Sequence, residues 1–163
     1  MRIDKFTTKF QQALADAQSM ALRNDNPYIE PVHVLAALLS DTDSGATSLL
    51  AHAGVSVNRV MAAVNDEIGR LPQVKGAAGN VQLGRELQKA LARTEQEADK
   101  RNDEYVAVEM FLLALVDDQG PAGRILREAG LQRKPLEVAI DAVRGGEPVT
   151  DADSEGKREA LAK

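Results

Sequence analysis

The chain has no cysteine and no tryptophan, and only 3% of its 163 residues are aromatic. Without cysteine, disulfides and thiolate chemistry are excluded, and a zinc site would have to combine His33 and His52 with carboxylates. No pattern in the sequence suggests such a site. With so few aromatic side chains, the core must be built from Leu, Val, Ile and Ala, a composition that favours closely packed helices.

Long apolar runs and clusters of one charge are also missing. No segment has the length of a signal-peptide core or of a membrane span, so we expect a cytoplasmic protein without membrane contact. The formal net charge is −5, and the Lys and Arg residues are interspersed with acidic ones. This pattern provides no positive field for phosphate backbones, so we expect no nucleic-acid partner.

Motifs for catalysis are absent as well. The Gly156-Lys157 pair is followed by Arg158 rather than by Ser or Thr, so it does not form a phosphate-binding loop. The sequence contains neither a His-Glu-x-x-His motif nor a Gly-x-Ser-x-Gly motif. We therefore predict no catalytic, cofactor-binding or metal-binding residues, and we do not expect this chain to be an enzyme.

What the sequence does contain is an internal duplication. A duplicated helical unit brings two similar surfaces together at a pseudo-symmetric junction, and binding grooves tend to lie at such junctions. At an offset of 77 residues, and of 76 in the last case, the matching stretches are 11–15 with 88–92, 35–38 with 112–115, and 50–55 with 126–131.

Apolar residues recur at three- and four-residue spacing through most of the chain, which predicts an all-α fold with essentially no sheet. Eight helices form two pseudo-symmetric four-helix repeats within one domain, residues 1–146, because each half alone would bury too little surface. Repeat one covers about 4–70, a connector 71–82, and repeat two about 83–146. The predicted helices span residues 7–23, 31–40, 46–53, 57–68, 84–100, 107–116, 121–129 and 135–144.

The segment after Gly146 differs in composition from the two repeats. Residues 147–155 are polar and short of apolar anchors, which is typical of a flexible linker. From Lys157 a helical pattern begins and the sequence stops. We therefore predict a linker over residues 147–163 and expect it to lead toward a further part of a longer protein.

Several polar residues differ in type from their counterparts in the other repeat. A structural role is available for each: an N-cap for Thr7, a favourable place in the helix dipole for Glu109, and a brace for the turn that contains Asp103. Contact with a ligand is the alternative, since a duplicated fold can specialise where its symmetry is broken. The pairs are Thr7 and Gly84, Asp103 and Asn26, and Glu109 and Val32.

His33 lies on the predicted buried side of the second helix, where the other repeat has Met110. One histidine without convergent partners cannot hold a metal ion, so we interpret His33 as a core or boundary residue with satisfied hydrogen bonds. We expect His52 to lie on the surface.

The residues resemble a known family. Residues 2–7 (Arg-Ile-Asp-Lys-Phe-Thr), 12–18 (Gln-Ala-Leu-Ala-Asp-Ala-Gln), 29–39 (Ile-Glu-Pro-Val-His-Val-Leu-Ala-Ala-Leu-Leu) and 71–74 (Leu-Pro-Gln-Val) are similar to the amino-terminal domains of the bacterial ClpB family of protein disaggregases. The resemblance covers the whole chain, including residues 144–147 and the linker. ClpA and ClpC domains share the double repeat, but residues 71–74 and 4–7 look more like ClpB.

The resemblance implies a function and a set of partners. In the family this domain is a mobile appendage on a hexameric ring that uses ATP and magnesium, threads aggregated polypeptides through its pore and works with the DnaK chaperone system. The linker would lead to the first ATPase module. The domain is implied to bind exposed apolar segments weakly, and the implied substrate-binding residues are Thr7, Leu91, Asp103, Glu109 and Met110.

Arg93 stands where relatives can carry an aliphatic residue, so we expect the groove to be narrower or more polar at that edge. Two other functions stay open. An adaptor-docking module, as in the protease-coupled ClpA and ClpC relatives, would bind one folded partner. An enzyme that uses carboxylates in the cleft ranks last, and only turnover by the isolated domain would support it.

Overall fold

The computed structural model describes residues 2–76 and 81–162, and within these residues the chain forms nine α-helices, a 3-10 helix at Ile3–Lys5 and two short strands. The first eight α-helices correspond to the eight predicted ones, so the all-α fold is confirmed. Four residues of the predicted connector, 77–80, lie outside the described residues. The helices are α1 (Thr8–Arg23), α2 (Pro31–Ser40), α3 (Ala46–His52), α4 (Val57–Arg70), α5 (Arg85–Lys100), α6 (Val108–Val116), α7 (Pro121–Glu128), α8 (Arg133–Arg144) and α9 (Ser154–Ala162).

The helix ends follow the local sequence. Thr7 caps α1, because its side-chain oxygen accepts a hydrogen bond from the backbone N–H of Phe10 at 3.3 Å. Ser56 caps α4 in the same way. Gly54 and Gly130 follow α3 and α7 with φ of +86° and +103°, a left-handed conformation that residues with a Cβ resist. The predicted ends of these helices are therefore confirmed.

The core is continuous across both repeats. Helix α6 is buried along its whole length, and α2 is buried except for Ser40, so these two apolar helices form the centre of the domain. Helix α1 packs on α2 and α5 packs on α6. The ring of Phe10 in repeat one contacts the ring of Phe111 in repeat two, with centroids 5.6 Å apart. A single core spanning both repeats is thus confirmed.

The two repeats interlock rather than standing side by side. Helix α3 of repeat one packs against α8 of repeat two, and α4 packs against α7. Each half therefore completes its hydrophobic face with helices from the other half, which is why neither four-helix set is a separate domain.

The expectation of essentially no sheet needs a small correction. Strand β1 (Tyr28–Ile29) pairs in parallel with β2 (Gln82–Leu83), and a single parallel bridge joins Phe6 to Val106. Each pairing links the residues before the first helix of one repeat to those before the second helix of the other. Stretches of two residues are too short to show an alternating pattern, so no local pattern predicts them.

The predicted flexible linker also needs a correction. Val149 and Glu155 are both buried, and residues 154–162 form α9. Pro148 aligns with Pro72 at the offset of 76 residues, so a proline follows the last helix of each repeat at matching positions. The polar composition of this segment did not indicate that the side chains of Val149 and Glu155 are buried. The boundaries of the predicted domain and its continuation into an ATPase module stay predictions.

Candidate functional site

An apolar groove of about 360 Å³ runs along the surface beside α1 and α5. Its apolar side chains come from both repeats, and Gln11 and Gln18 of α1 add polar groups to its wall. Ile3 is 49% exposed at one edge, whereas Leu91 is fully buried and belongs to the floor. The groove can therefore receive aliphatic side chains. Its apolar lining includes Ile3, Leu14, Ile29, Val81, Leu83 and Leu91.

Leu91 is the one predicted site residue that lines this groove. Met110 is fully buried in the core and offers no surface to a ligand in this structure. Arg93 does not line the groove: its guanidinium Nη1 lies 2.9 Å from Oδ1 of Asp118, in an ion pair near the end of α6. The structure therefore shows no contact through which Arg93 would make the groove narrower or more polar.

Asp103 and Glu109 take part in a buried charge network with Arg144 of α8. The guanidinium of Arg144 donates to Oδ1 and Oδ2 of Asp103 at 3.0 and 2.9 Å, and its Nε donates to Oε2 of Glu109 at 2.9 Å. The side chains of Arg144, Asp103 and Glu109 are 4%, 0% and 1% exposed. These carboxylates are therefore paired inside the domain rather than open to solvent.

Arg158 of α9 closes this network from the outside. Its two terminal nitrogens donate to Oε2 and Oε1 of Glu109 at 3.1 and 3.2 Å, the forked geometry that guanidinium and carboxylate groups favour. Burial alone would raise the pKa of Glu109, but Arg158 and Arg144 together hold that pKa below its ordinary value. Glu109 is therefore ionised at neutral pH.

Thr7 combines its capping role with a second contact. Its hydroxyl donates to Oε2 of Glu155 at 2.7 Å, and the same carboxylate oxygen accepts from the backbone N–H of Val108 at 3.0 Å. Val108 is the first residue of α6, so Glu155 lies at the positive end of that helix. Burial and the nearby charge of Glu109 nevertheless raise the pKa of Glu155.

The structure thus divides the predicted site residues into separate places. Leu91 lines the open groove, Met110 lies in the core, and Thr7, Asp103 and Glu109 lie under the segment of residues 149–158. The sequence reasoning missed Arg144, Glu155 and Arg158. The alignment of Pro148 with Pro72 is a single matching residue, so the sequence carried only a weak signal that this segment belongs to the domain.

The pseudo-symmetric counterpart of this region is an open pocket of about 210 Å³. Val32 lines this pocket at the position of Glu109, and Ile68 stands at the sequence position of Arg144, so the ion pair between Glu109 and Arg144 has no counterpart in repeat one. Oε1 of Glu30 is a buried side-chain atom without a hydrogen-bond partner among the described residues. Burial, then the charge of Glu86, raises the pKa of Glu30.

His33 is fully buried, as predicted, and both ring nitrogens are hydrogen-bonded. Nδ1 accepts from the backbone N–H of Glu30 at 2.9 Å, which leaves Nε2–H to donate to Oδ1 of Asn26 at 2.9 Å. Burial lowers the pKa of His33 from 6.5 to about 4. The interpretation of His33 as a satisfied core residue is confirmed.

Metal sites and membrane-spanning helices are both absent from the described part of the chain. Residues 2–76 and 81–162 contain no group of His, Cys, Asp and Glu that could hold a metal ion. Over the same ranges, every helix is too short or too polar to cross a bilayer.

Comparison with known proteins places this fold in a family. The model of the Clp repeat (R) N-terminal domain matches residues 5–129. The chain is 43% identical over 163 residues to the chaperone protein ClpB of Vibrio cholerae serotype O1, and spans 19% of the length of that relative.

Solved structures agree with this match. The N-terminal domain of Hsp104 from Candida albicans superposes with a TM-score of 0.81 at 21% identity, over 93% of this chain and 99% of that one. The ClpV N-domain in its complex with a VipB peptide has a TM-score of 0.67 at 22% identity, over 91% of this chain and 92% of that one. The double helical repeat and these matches show that the chain belongs to the Clp repeat N-terminal domain family, as the N-terminal domain of a ClpB-type chaperone.

Proposed function

We propose that this domain recruits clients for an ATP-dependent disaggregase by binding their exposed apolar segments in the groove between α1 and α5. The observation that carries the proposal is the groove itself: about 360 Å³, open to solvent and lined mainly by Leu, Ile and Val from both repeats. The ClpV N-domain, which shares this fold, forms a complex with a VipB peptide. That precedent supports a polypeptide ligand.

The size of the groove suits weak binding. Burying two or three aliphatic side chains contributes about 1.5–3 kcal/mol each, and the ordering of an unfolded segment offsets most of this gain. The resulting affinities lie between roughly micromolar and millimolar. Binding with low affinity and low selectivity suits a domain that transfers its client to an ATPase ring.

The remainder of the proposal concerns the longer protein. Delivery to a hexameric ATPase ring, use of ATP and magnesium by that ring, and cooperation with the DnaK system are what a ClpB-type protein would add to this domain. Thr7, Asp103, Glu109 and Met110 stay predicted client contacts, and each of them would have to become exposed before it could touch a client.

The test compares apolar residues that line the groove with one exposed apolar residue outside it. We propose Ile3→Asn and Leu14→Gln in the groove, with Val138→Asn as the matched control, since Val138 is 57% exposed on α8 and lies outside the groove. An unfolded, apolar-rich protein is titrated into the 163-residue chain and amide shifts are followed. Each groove variant should weaken binding about tenfold, the loss of roughly 1.4 kcal/mol of apolar contact.

The control should bind as the original chain does. Equal weakening by Val138→Asn, or amide shifts that avoid the groove, would contradict the proposed site. Capture of one folded partner at stoichiometric yield, without binding of unfolded clients, would favour the adaptor-docking alternative.

A further inference from the structure

The segment of residues 149–158 reaches each of the three polar residues implied as client contacts. Val149 is the first anchor: its N–H donates to Oδ1 of Asp103 at 3.0 Å, and its carbonyl accepts from the N–H of Glu104 at 2.7 Å. The carbonyl of Ala152 then accepts from the N–H of Thr8, in the first turn of α1, at 2.8 Å. These backbone bonds bring α9 against the ends of α1 and α6.

Two side chains of α9 then meet complementary groups. Glu155 and Arg158 are three residues apart, so they lie on the same face of the helix. The carboxylate of Glu155 accepts from two donors, the Thr7 hydroxyl and the Val108 N–H, while the guanidinium of Arg158 is paired with the carboxylate of Glu109. The site therefore recognises one negative and one positive group at a fixed spacing.

This complementarity exists in only one half of the duplicated fold. At the pseudo-symmetric position a glycine, a proline without an N–H and a valine replace the hydroxyl, the amide donor and the carboxylate. That half can neither donate to a carboxylate nor pair with a guanidinium in the same way. The replacements for Thr7, Val108 and Glu109 are Gly84, Pro31 and Val32.

We propose that Thr7, the Val108 amide and Glu109 form a docking site for a helical segment that carries a carboxylate and a guanidinium three residues apart. Residues 149–158 fill this site in cis and cover Asp103. The docked segment keeps clients from these residues, so release of the segment opens a polar extension of the client-binding surface. The last step rests on the proposed client-binding function, whereas the docking site itself does not.

The geometry is consistent with a segment that can leave. Lys157 is 65% exposed and Asp151 is 42% exposed, so the outer face of the segment is solvated. Arg158 keeps 26% of its side chain exposed, and its removal leaves Glu109 still paired with Arg144. The carboxylates of Glu155 and Glu109 repel each other across the site, which opposes docking. Within residues 149–158, docking is therefore stabilised mainly by hydrogen bonds and ion pairs, and Val149 is the one buried apolar side chain of this segment.

The test uses point variants of the 163-residue chain. Arg158→Ala removes the guanidinium, and Lys157→Ala is the matched control, since it removes a neighbouring charge on α9 whose acidic partners, Asp151 and Asp153, belong to the same segment. Hydrogen exchange is measured at the amides of Thr8, Glu104 and Val108, which donate to the segment. In Arg158→Ala these amides should exchange about tenfold faster, while the control should not change them.

Client binding is then compared in the same chains. Arg158→Ala should bind an unfolded, apolar-rich protein at least about threefold more tightly than the original chain, because the competing segment is released. Faster amide exchange without tighter client binding would overturn the inference that the segment competes with clients. Unchanged exchange in Arg158→Ala would overturn the docking site.

A peptide supplied in trans gives an independent measurement. A synthetic peptide with the sequence of residues 149–163 should bind the Arg158→Ala chain and weaken its client binding. The same peptide with Glu155→Gln and Arg158→Ala should do neither. If no client binds any of these chains, the proposed function fails, but the exchange rates and the peptide titration still decide whether the docking site exists.

Discussion

Replacing Arg144 by Ile should destabilise the domain strongly, because Arg144 is the shared partner of two buried carboxylates. The change leaves Asp103 without a cation, and Glu109 keeps only Arg158. Removing one member of a buried ion pair costs about 3–5 kcal/mol, since the remaining charge stays buried without compensation. Arg70→Ile is the control: Arg70 is 70% exposed in a single surface pair, and such pairs contribute about 0–1 kcal/mol.

The duplication supplies a second variant that sharpens this prediction. The other repeat carries Asn26, Val32 and Ile68 at the positions of Asp103, Glu109 and Arg144. The triple change Asp103→Asn, Glu109→Val and Arg144→Ile therefore introduces a set of residues that already packs in this fold. Replacing a buried ionic network by apolar groups of suitable shape is often neutral or stabilising. The triple variant should regain most of the stability that Arg144→Ile loses.

Urea unfolding of the 163-residue chain measures both effects. For a slope of about 2 kcal/mol/M, Arg144→Ile should lower the midpoint by about 2 M, whereas the triple variant and Arg70→Ile should stay within about 0.5 M of the original chain. A loss below about 1 kcal/mol in Arg144→Ile would refute the importance of the buried network. A triple variant as unstable as the single one would refute the pseudo-symmetric reasoning.

Three further changes test other parts of the structure by urea unfolding. Because burial lowers the pKa of His33 from 6.5 to about 4, the contribution of neutral His33 to the free energy of unfolding is complete above pH 6.5 and is lost as the pH falls toward 4, by up to about 3 kcal/mol. His33→Gln should lose less stability than the original chain over that pH range, and an equal loss would contradict this assignment. Gly123→Ala should destabilise the domain by about 2 kcal/mol or more, because the added Cβ would clash with two backbone carbonyl oxygens near the end of α6. Gly69→Ala, in open space on α4, should stabilise it slightly, and equal changes in the two variants would exclude a close contact at Gly123. Val149→Ala should lower the free energy of unfolding by about 1.5 kcal/mol, and Val138→Ala, at an exposed position, by less than about 0.5 kcal/mol. Equal effects of the two changes would indicate that residues 149–158 do not pack against the domain.

The predicted site shows where sequence reasoning works and where it stops. Leu91 lies on the groove floor, because an apolar residue on the inward face of an amphipathic helix must meet the neighbouring helix, and its contact with clients stays a prediction. Asp103 and Glu109 were recognised as departures from the repeat, but their partner Arg144 is 35 to 41 residues away along the chain. A pairing at that distance depends on how α8 packs, and no local pattern records it.

The sequence by itself determined the eight-helix double repeat, because apolar periodicity, caps and the glycines after α3 and α7 are local signals that recur in both copies. It also excluded disulfides by the lack of cysteine and a phosphate-binding loop by the lack of its motif. Only the tertiary structure decided that Thr7, Asp103 and Glu109 lie beneath residues 149–158. The physical reason is that hydrogen bonds between distant segments, such as Thr7 with Glu155 and Glu109 with Arg158, form only after the helices have packed.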